Sequence, residues 1–253
     1  MSAAPSSTPI PSHWIAPEWP APAQVRGVIT TRAGGASRGA FESFNLGANV
    51  GDDALAVAQN RRELRRYLPA EPLWMRQVHG VRVIDAESAA AETEADGAVT
   101  RTAGRVLAVL TADCLPVLLC DEAGTVAGIA HAGWRGLAAG VIEAVVAAMR
   151  VPPERVLAYI GPGIGAAAYE VGPEVREAFL AQGAEAAQAF TAREGGRFFA
   201  DLALLARQRL RCVGVARVHA GAHCTYAEEK KFFSFRRDGA TGRMASLIWL
   251  EEG

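Results

Sequence analysis

Cysteine is scarce in this chain, four in 253 residues. That is too few for a disulfide scaffold at this length, so each thiol is a candidate for the core, a metal or catalysis. Histidine is nearly as scarce, at five. No apolar run approaches the ~20 residues needed to cross a bilayer, which excludes a membrane-spanning helix. Residues 1–25 contain no Lys or Arg and no long apolar stretch, so a secretory leader is not expected. Neither sign of charge prevails: 26 basic residues face 27 acidic ones along the chain, for a formal net charge of −1. This excludes a nucleic-acid footprint and a polybasic membrane anchor, leaving local arginines as anion sites. A cytoplasmic location is expected. Nothing in the sequence fixes an oligomeric state.

What is present is apolar residues, half of the chain, enough to bury a substantial core. Residues 24–253 are expected to form a single domain, preceded by a Pro-rich arm over 1–23 that holds Pro5, Pro9, Pro11, Pro17, Pro20 and Pro22. Such a composition forms no helix and offers little to a sheet. Met1–Pro11 is either frayed or pinned through Trp14, and Trp19 is a second anchor. Periodicity predicts strands at 25–31, 107–110, 115–120, 125–130, 155–160, 213–219 and 245–250, and helices at 54–67, 137–149, 173–182 and 200–211. Arg61, Arg62, Arg65 and Arg66 read as a solvated helix face. Leu73–Val78 and Val81–Ile84 flank His79-Gly80, a pattern for a β-hairpin or a bulged bend, and 86–95 reads as a surface loop or short helix. Strands and helices interleave irregularly and several strand pairs look antiparallel, so the expected class is α/β (α+β), a mixed-sheet multilayer sandwich.

The chemistry concentrates in 107–136. The runs at 115–120 and 125–130 are joined by Asp121-Glu122-Ala123-Gly124, a turn, and form an antiparallel hairpin. Cys114 before the first strand and His131 after the second then lie close together. With His79 they offer two nitrogens and one thiolate, a set suited to Zn²⁺ and compatible with Cu, and three protein ligands leave a position open, as at catalytic zinc. The alternative is an ordinary buried cysteine with hydrogen-bonded histidines. Asp113 is either a neighbour supporting Cys114 and a proton carrier, or a turn aspartate. His219, His223 and Cys224 form a rival cluster, but they lie on one strand and its exit, which hinders convergence. Cys120 and Cys212 read as core, and His13 as solvent-facing. Arg32 stands at the end of the first strand, before a glycine-rich loop that includes Asn45 in its later part. Gly161-Pro162-Gly163-Ile164-Gly165 is a further loop able to line a pocket.

Several motifs then occur in one order: Gln77-Val78-His79-Gly80, Thr111-Ala112-Asp113-Cys114-Leu115-Pro116-Val117, His131-Ala132-Gly133-Trp134-Arg135-Gly136, Gly161–Gly165, Phe232–Asp238 and Thr241–Ala245. Together they closely resemble the YfiH-type family, known as polyphenol oxidase or laccase domain, peptidoglycan editing factor and purine nucleoside phosphorylase. The resemblance runs from about Val25 to Leu250. It implies a zinc site at His79, Cys114 and His131, and a sandwich fold related to cysteine hydrolases of the cytotoxic necrotizing factor type. It also implies phosphorolysis of adenosine, inosine, guanosine and methylthioadenosine, with adenosine deamination at the same site.

Under that reading, Arg32 supplies charge-assisted donors to phosphate, with Asn45 and Arg135 as helpers. Cys114, Asp113 and Arg32 are the expected catalytic residues, and purine nucleosides and phosphate the expected partners. Zinc lowers the pKa of a bound water to ~7 or acts as a Lewis acid, which accounts for attack at C6 of adenine. A different use of the same residues makes Cys114 a nucleophile and His131 its base, in an amidase editing peptidoglycan precursors. A multicopper oxidase needs more histidines than five, although one copper in the three-ligand site would give weak polyphenol oxidase activity. A non-catalytic binding protein is the remaining alternative.

Overall fold

In the computed structural model, residues 9–252 are described. Met1–Thr8, the outer part of the expected Pro-rich arm, and Gly253 lie outside them. The strands are β1 (Val25–Ile29), β2 (Val83–Asp85), β3 (Gly97–Thr100), β4 (Leu107–Thr111), β5 (Leu115–Asp121), β6 (Ala127–Ala132), β7 (Val156–Ile160), β8 (Glu170–Val171), β9 (Phe190–Ala192), β10 (Phe198–Ala200), β11 (Arg217–Ala220) and β12 (Met244–Leu250). The helices are α1 (Ala54–Arg65), α2 (Trp134–Ala139), α3 (Val141–Met149), α4 (Pro173–Leu180), α5 (Leu202–Cys212) and α6 (Phe235–Asp238).

Three sheets result: a six-stranded one in the order β11-β7-β5-β6-β3-β2, and three-stranded ones in the orders β1-β12-β4 and β8-β10-β9. β11 with β7 and β2 with β3 are parallel, and the other ladders are antiparallel. The fold is thus a mixed α/β sandwich of several sheets.

The period of two along each strand builds the layers. Val117 and Leu119 of β5 face α2, α3, α4 and α5, whereas Leu118 and Cys120 point the other way, onto Val109 of β4 and Ile248 of β12. On the outer face of the smaller sheet, Leu247 and Trp249 pack with Phe44, Leu46 and Leu64 of α1. Two helical layers therefore enclose two stacked sheets. β5 and β12 are buried along their whole lengths, which is why they read as unbroken apolar runs. Trp14 is buried against Phe44 and Tyr67, and Trp19 packs on Tyr159. No helix among the described residues is long and apolar enough to cross a membrane.

Several elements depart from the sequence reading. The helix expected over 137–149 starts earlier, at Trp134, and is broken at Gly140, whose φ of 103° ends α2 in the left-handed region. The strand expected over 213–219 begins only at Arg217, because Gly214 at φ 92° turns the chain out of α5. His79-Gly80 is a bend without a hairpin ladder, and β2 beyond it pairs with β3 in parallel. Of the two readings of residues 86–95, the structure shows the surface loop, formed of turns. The small sheet β8-β10-β9 was not anticipated, since strands of two or three residues carry no measurable period. Cys120 is buried as expected, but Cys212 is exposed at the end of α5, its thiol 3.3 Å from a carboxylate oxygen of Glu185.

The stacked-sheet interface is expected to dominate stability. Leu118→Ala, at a fully buried position between the sheets, should lower the free energy of unfolding by about 2–5 kcal/mol. Leu55→Ala, where the side chain is 79% exposed, should change it by less than ~0.5 kcal/mol. Urea unfolding of both variants measures the contrast.

Candidate metal centre and substrate cleft

Cys114 stands where the chain passes from one sheet to the other, between β4 and β5. Asp113 makes the turn with φ at 98°, a left-handed conformation costly for a side-chain-bearing residue. Three bonds hold it there. One carboxylate oxygen accepts from the Thr225 hydroxyl at 2.7 Å, the other from the Arg236 N–H at 2.7 Å, and the Asp113 carbonyl accepts from the Ile164 N–H at 2.9 Å. The sulfur's direction is thereby set. β5 pairs antiparallel with β6, matching Pro116 to His131, so the hairpin brings Cys114 and His131 together as the spacing predicts.

The third donor, His79, comes from the bend after Gln77. The Gln77 side-chain amide donates to the Leu110 carbonyl at 2.8 Å and accepts from the Leu110 N–H at 2.7 Å, acting as a one-residue strand against the edge of β4. His79 itself has φ at 60°. What stabilises the bend is Asp96, fully buried, whose carboxylate accepts from the N–H groups of Val78, His79 and Gly80 at 3.1, 3.0 and 2.7 Å. The same carboxylate accepts from His131 Nδ1 at 2.7 Å, and the Asp96 carbonyl accepts from the His131 N–H. With Nδ1 so engaged, His131 turns Nε2 to the site. Burial opposes the Asp96 charge, but the His131 and Gly80 bonds outweigh it and hold the carboxyl below its ordinary range.

The donor atoms of His79, Cys114 and His131 all lie within 4.8 Å of one another, with Cys114 Sγ 3.8 Å from His79 Nε2. Tetrahedral zinc with bonds of ~2.0–2.3 Å requires ligand separations of roughly 3.5 Å, so this set fits a metal ion with little adjustment. Burial would raise the Cys114 thiol, but the charge of His131 and hydrogen bonds from His131 and His79 bring it down to about 6. His131 is driven to about 9: burial opposes its charge, and the Cys114 thiolate and Asp96 more than compensate. Two glycines admit this closeness. A Cβ on Gly133 would sit 2.8 Å from the His79 ring and 2.9 Å from Cys114 Sγ, and one on Gly136 would meet the Gly80 carbonyl oxygen at 2.8 Å. The rival cluster disperses: His223 bonds to Glu228, while Cys224 Sγ accepts from the Gly165 N–H. His13 is exposed.

Above the three donors opens a cleft of about 580 Å³. Of the expected substrate residues, Arg135 lines it, its guanidinium 4.5 Å over the Trp134 ring. Arg32 does not line it. Its guanidinium donates to the carbonyls of Glu42 and Glu229 and covers the Phe233 ring, so it ties a loop to the C-terminal segment. Asn45 is also outside, fully buried. It donates to Asp52 and to the Gly47 carbonyl, and accepts from the N–H groups of Gly47 and Arg243. It acts on the cleft by seating Arg243 and Gly47, which do line it.

The cleft's own cations include Arg61 and Arg243. Arg61, expected on a solvated helix face, instead lies 4.3 Å over the Trp74 ring and donates to the Leu46 carbonyl. Burial lowers the pKa of both guanidiniums, against the opposing charges of Glu92 and Glu71 for Arg61 and of Cys114 and Asp113 for Arg243. These are partly desolvated cations facing an open space, a favourable setting for an anion. Asp96, Arg61, Arg243 and Phe235 escaped the sequence reading as site residues. Only Arg243 and Phe235 carried any signal, through the motifs at 241–245 and 232–238.

Comparison with known proteins places this geometry in context. Residues 26–251 match the family model described as multi-copper polyphenol oxidoreductase laccase. A purine nucleoside phosphorylase of Pseudomonas aeruginosa is 50% identical over 240 residues, covering 94% of this chain and 99% of that protein. The purine nucleoside phosphorylase YfiH of Escherichia coli is 50% identical over 242 residues, with the same coverage. Among solved structures, a Neisseria meningitidis protein superposes with a TM-score of 0.92 at 50% identity, covering 95% of this chain and all of that one. YlmD from Geobacillus stearothermophilus gives 0.85 at 32%, covering 91% and 93%. With its motifs in order from end to end, the chain belongs to the YfiH-type, laccase-like family.

Proposed function

We propose that the chain is a zinc-dependent purine nucleoside phosphorylase that also deaminates adenosine. The observation that carries the reading is the convergence of two imidazoles and a thiolate at an arginine-lined cleft of nucleoside size. The names of the Pseudomonas and Escherichia relatives support it. Adenosine, inosine, guanosine and methylthioadenosine are the proposed substrates, each giving free base and ribose 1-phosphate with inorganic phosphate. A cytoplasmic setting belongs to this reading, and the four cysteines are all free.

Phosphate needs paired donors near the sugar, and Arg61 and Arg243 take the role expected of Arg32. Each presents a planar fork for two phosphate oxygens, and a bound anion relieves the desolvation that both suffer. Arg135 is a third donor. Zinc held by His79, Cys114 and His131 would supply Lewis acidity and water activation. Asp113 is a positioning residue, since both its oxygens already accept hydrogen bonds that fix the approach of Cys114.

A second reading is favoured by one observation, a cysteine sulfur held beside two imidazoles, the arrangement of a thiolate nucleophile and its base. It would make the protein an amidase acting on peptidoglycan precursors. Copper in the same ligands, with polyphenol oxidation, is the third possibility. Metal analysis separates all three.

Purified protein with adenosine and phosphate should release adenine and ribose 1-phosphate, and adenosine alone should yield inosine and ammonia. Exhaustive chelation should abolish both activities and zinc should restore them. Full activity after chelation, or absence of all these products from zinc-replete folded protein, would reject the phosphorylase reading. Asp96→Asn sets an amide against N–H donors in either orientation, and should weaken zinc affinity by about 10–100-fold in a chelator competition. Arg61→Met or Arg243→Met should raise the KM for phosphate by roughly 10–100-fold, the loss of a hydrogen bond to a charged group, with zinc content unchanged.

A further inference from the structure

Four aromatic rings line the cleft, and three of them are already covered. Arg61 lies 4.3 Å from the centroid of Trp74, Arg135 4.5 Å from that of Trp134, and Arg236 4.9 Å from that of Tyr169. The fourth is Phe235. Its nearest guanidinium, Arg243, is 5.9 Å from the ring centroid, at the outer limit of such contacts, and the residue is 59% exposed. A large apolar ring left this open in the lining of a polar cleft offers a free flat face to a planar ligand.

The backbone that carries the ring is also tied to the turn bearing Cys114. Ser234, fully buried, caps α6 by accepting from the Arg237 N–H at 3.2 Å. The peptide N–H joining Phe235 to Arg236 donates to Asp113, the residue next to Cys114. One hydrogen bond thus links the backbone of Phe235 to the turn that aims the thiolate.

We infer that Phe235 is the stacking platform for the nucleobase, the residue that holds the purine ring of the substrate beside the three donors. This rests on the phosphorylase reading and deepens it. A phenyl face has no donors or acceptors, so it reads area and flatness and not ring substituents. That suits one site accepting adenine, hypoxanthine and guanine, and it favours two fused rings over one.

The test compares wild type with Phe235→Leu, which stays apolar but loses the flat ring, and with Phe235→Tyr and Phe235→Trp, which restore it. Base stacking on an aromatic side chain corresponds to a change on the order of ten- to hundredfold. Phe235→Leu should raise the KM for adenosine by about tenfold or more, with a smaller change in kcat, while Tyr and Trp stay near wild type. The KM for phosphate and the zinc content should not move. In calorimetry, adenine should lose affinity in Phe235→Leu to the same degree, whereas ribose 1-phosphate should not. If wild type turns over adenosine and Phe235→Leu stays within about twofold on both adenosine KM and adenine affinity, the platform is refuted and the phosphorylase reading survives. If wild type does not phosphorolyse nucleosides, the functional reading fails by itself. Adenine binding still decides the platform: dependence on an aromatic ring at 235 supports it, and no binding, or binding indifferent to the ring, overturns it.

Discussion

One buried carboxylate organises the centre. Asp96 accepts three consecutive backbone N–H groups of the bend that carries His79 and the ring N–H of His131. Removing a carboxylate from water is costly, and four donors around two oxygens are what make it tolerable. The consequence is geometric. Two histidines 52 positions apart are hung from one anchor, and their rings meet at a centroid distance of 4.8 Å. Neither the His131 ring nor the backbone that carries His79 can move away without leaving a buried charge short of partners, so a group that touches no reactant holds both in place.

The sandwich places this anchor where its stacked sheets exchange the chain. β4 belongs to the three-stranded sheet and β5 to the six-stranded one, and only Ala112, Asp113 and Cys114 separate them. So short a crossing forces an unusual backbone, and Asp113 supplies it under the restraint of Thr225, Arg236 and Ile164. Side chains at such a seam face neither core. Space is the other requirement: α2 starts directly after β6, and it can lie against the His79 bend only because Gly133 and Gly136 present no Cβ.

How far this was legible from the amino acids depends on the range of each signal. The hairpin joining Cys114 to His131 was readable because a short turn sets two consecutive apolar strands side by side, whatever further partners each takes on its other edge. The His79 contribution was visible through a motif whose Gln77 replaces a strand residue in bonding Leu110. Asp96 gave no local sign, since its four partners lie at 78–80 and 131 and no periodicity reports a bond between a carboxylate and a distant bend. The small sheet β8-β10-β9 escaped for lack of length, and Gly140 split an otherwise periodic helix by backbone conformation alone. Arg61 was misread because it sits among solvated arginines, and only the indole of Trp74 beneath it sets it apart.

Arginine shows most clearly why composition underdetermines a site. Net charge is nearly zero, yet several arginines line the cleft, while others pair with glutamates, as Arg155 and Arg217 do with Glu122, or bond to loop carbonyl groups. Arg32 caps Glu42 and Glu229, and Arg237 caps Thr225, Tyr226 and Phe232. Such residues act as multi-pronged donors closing loops. Arg61 and Arg243 are also tethered to carbonyls, but both are partly desolvated beside open space and near acidic groups. Those acidic groups cannot fully compensate them: Asp113 is already committed to Thr225 and Arg236, and the Cys114 sulfur is directed at two imidazoles. The field left in the cleft is therefore positive on the arginine side, while the donor side presents one sulfur between two imidazoles. An anionic group is favoured on the arginine side, and a group able to take the open position of a metal ion at the donor side.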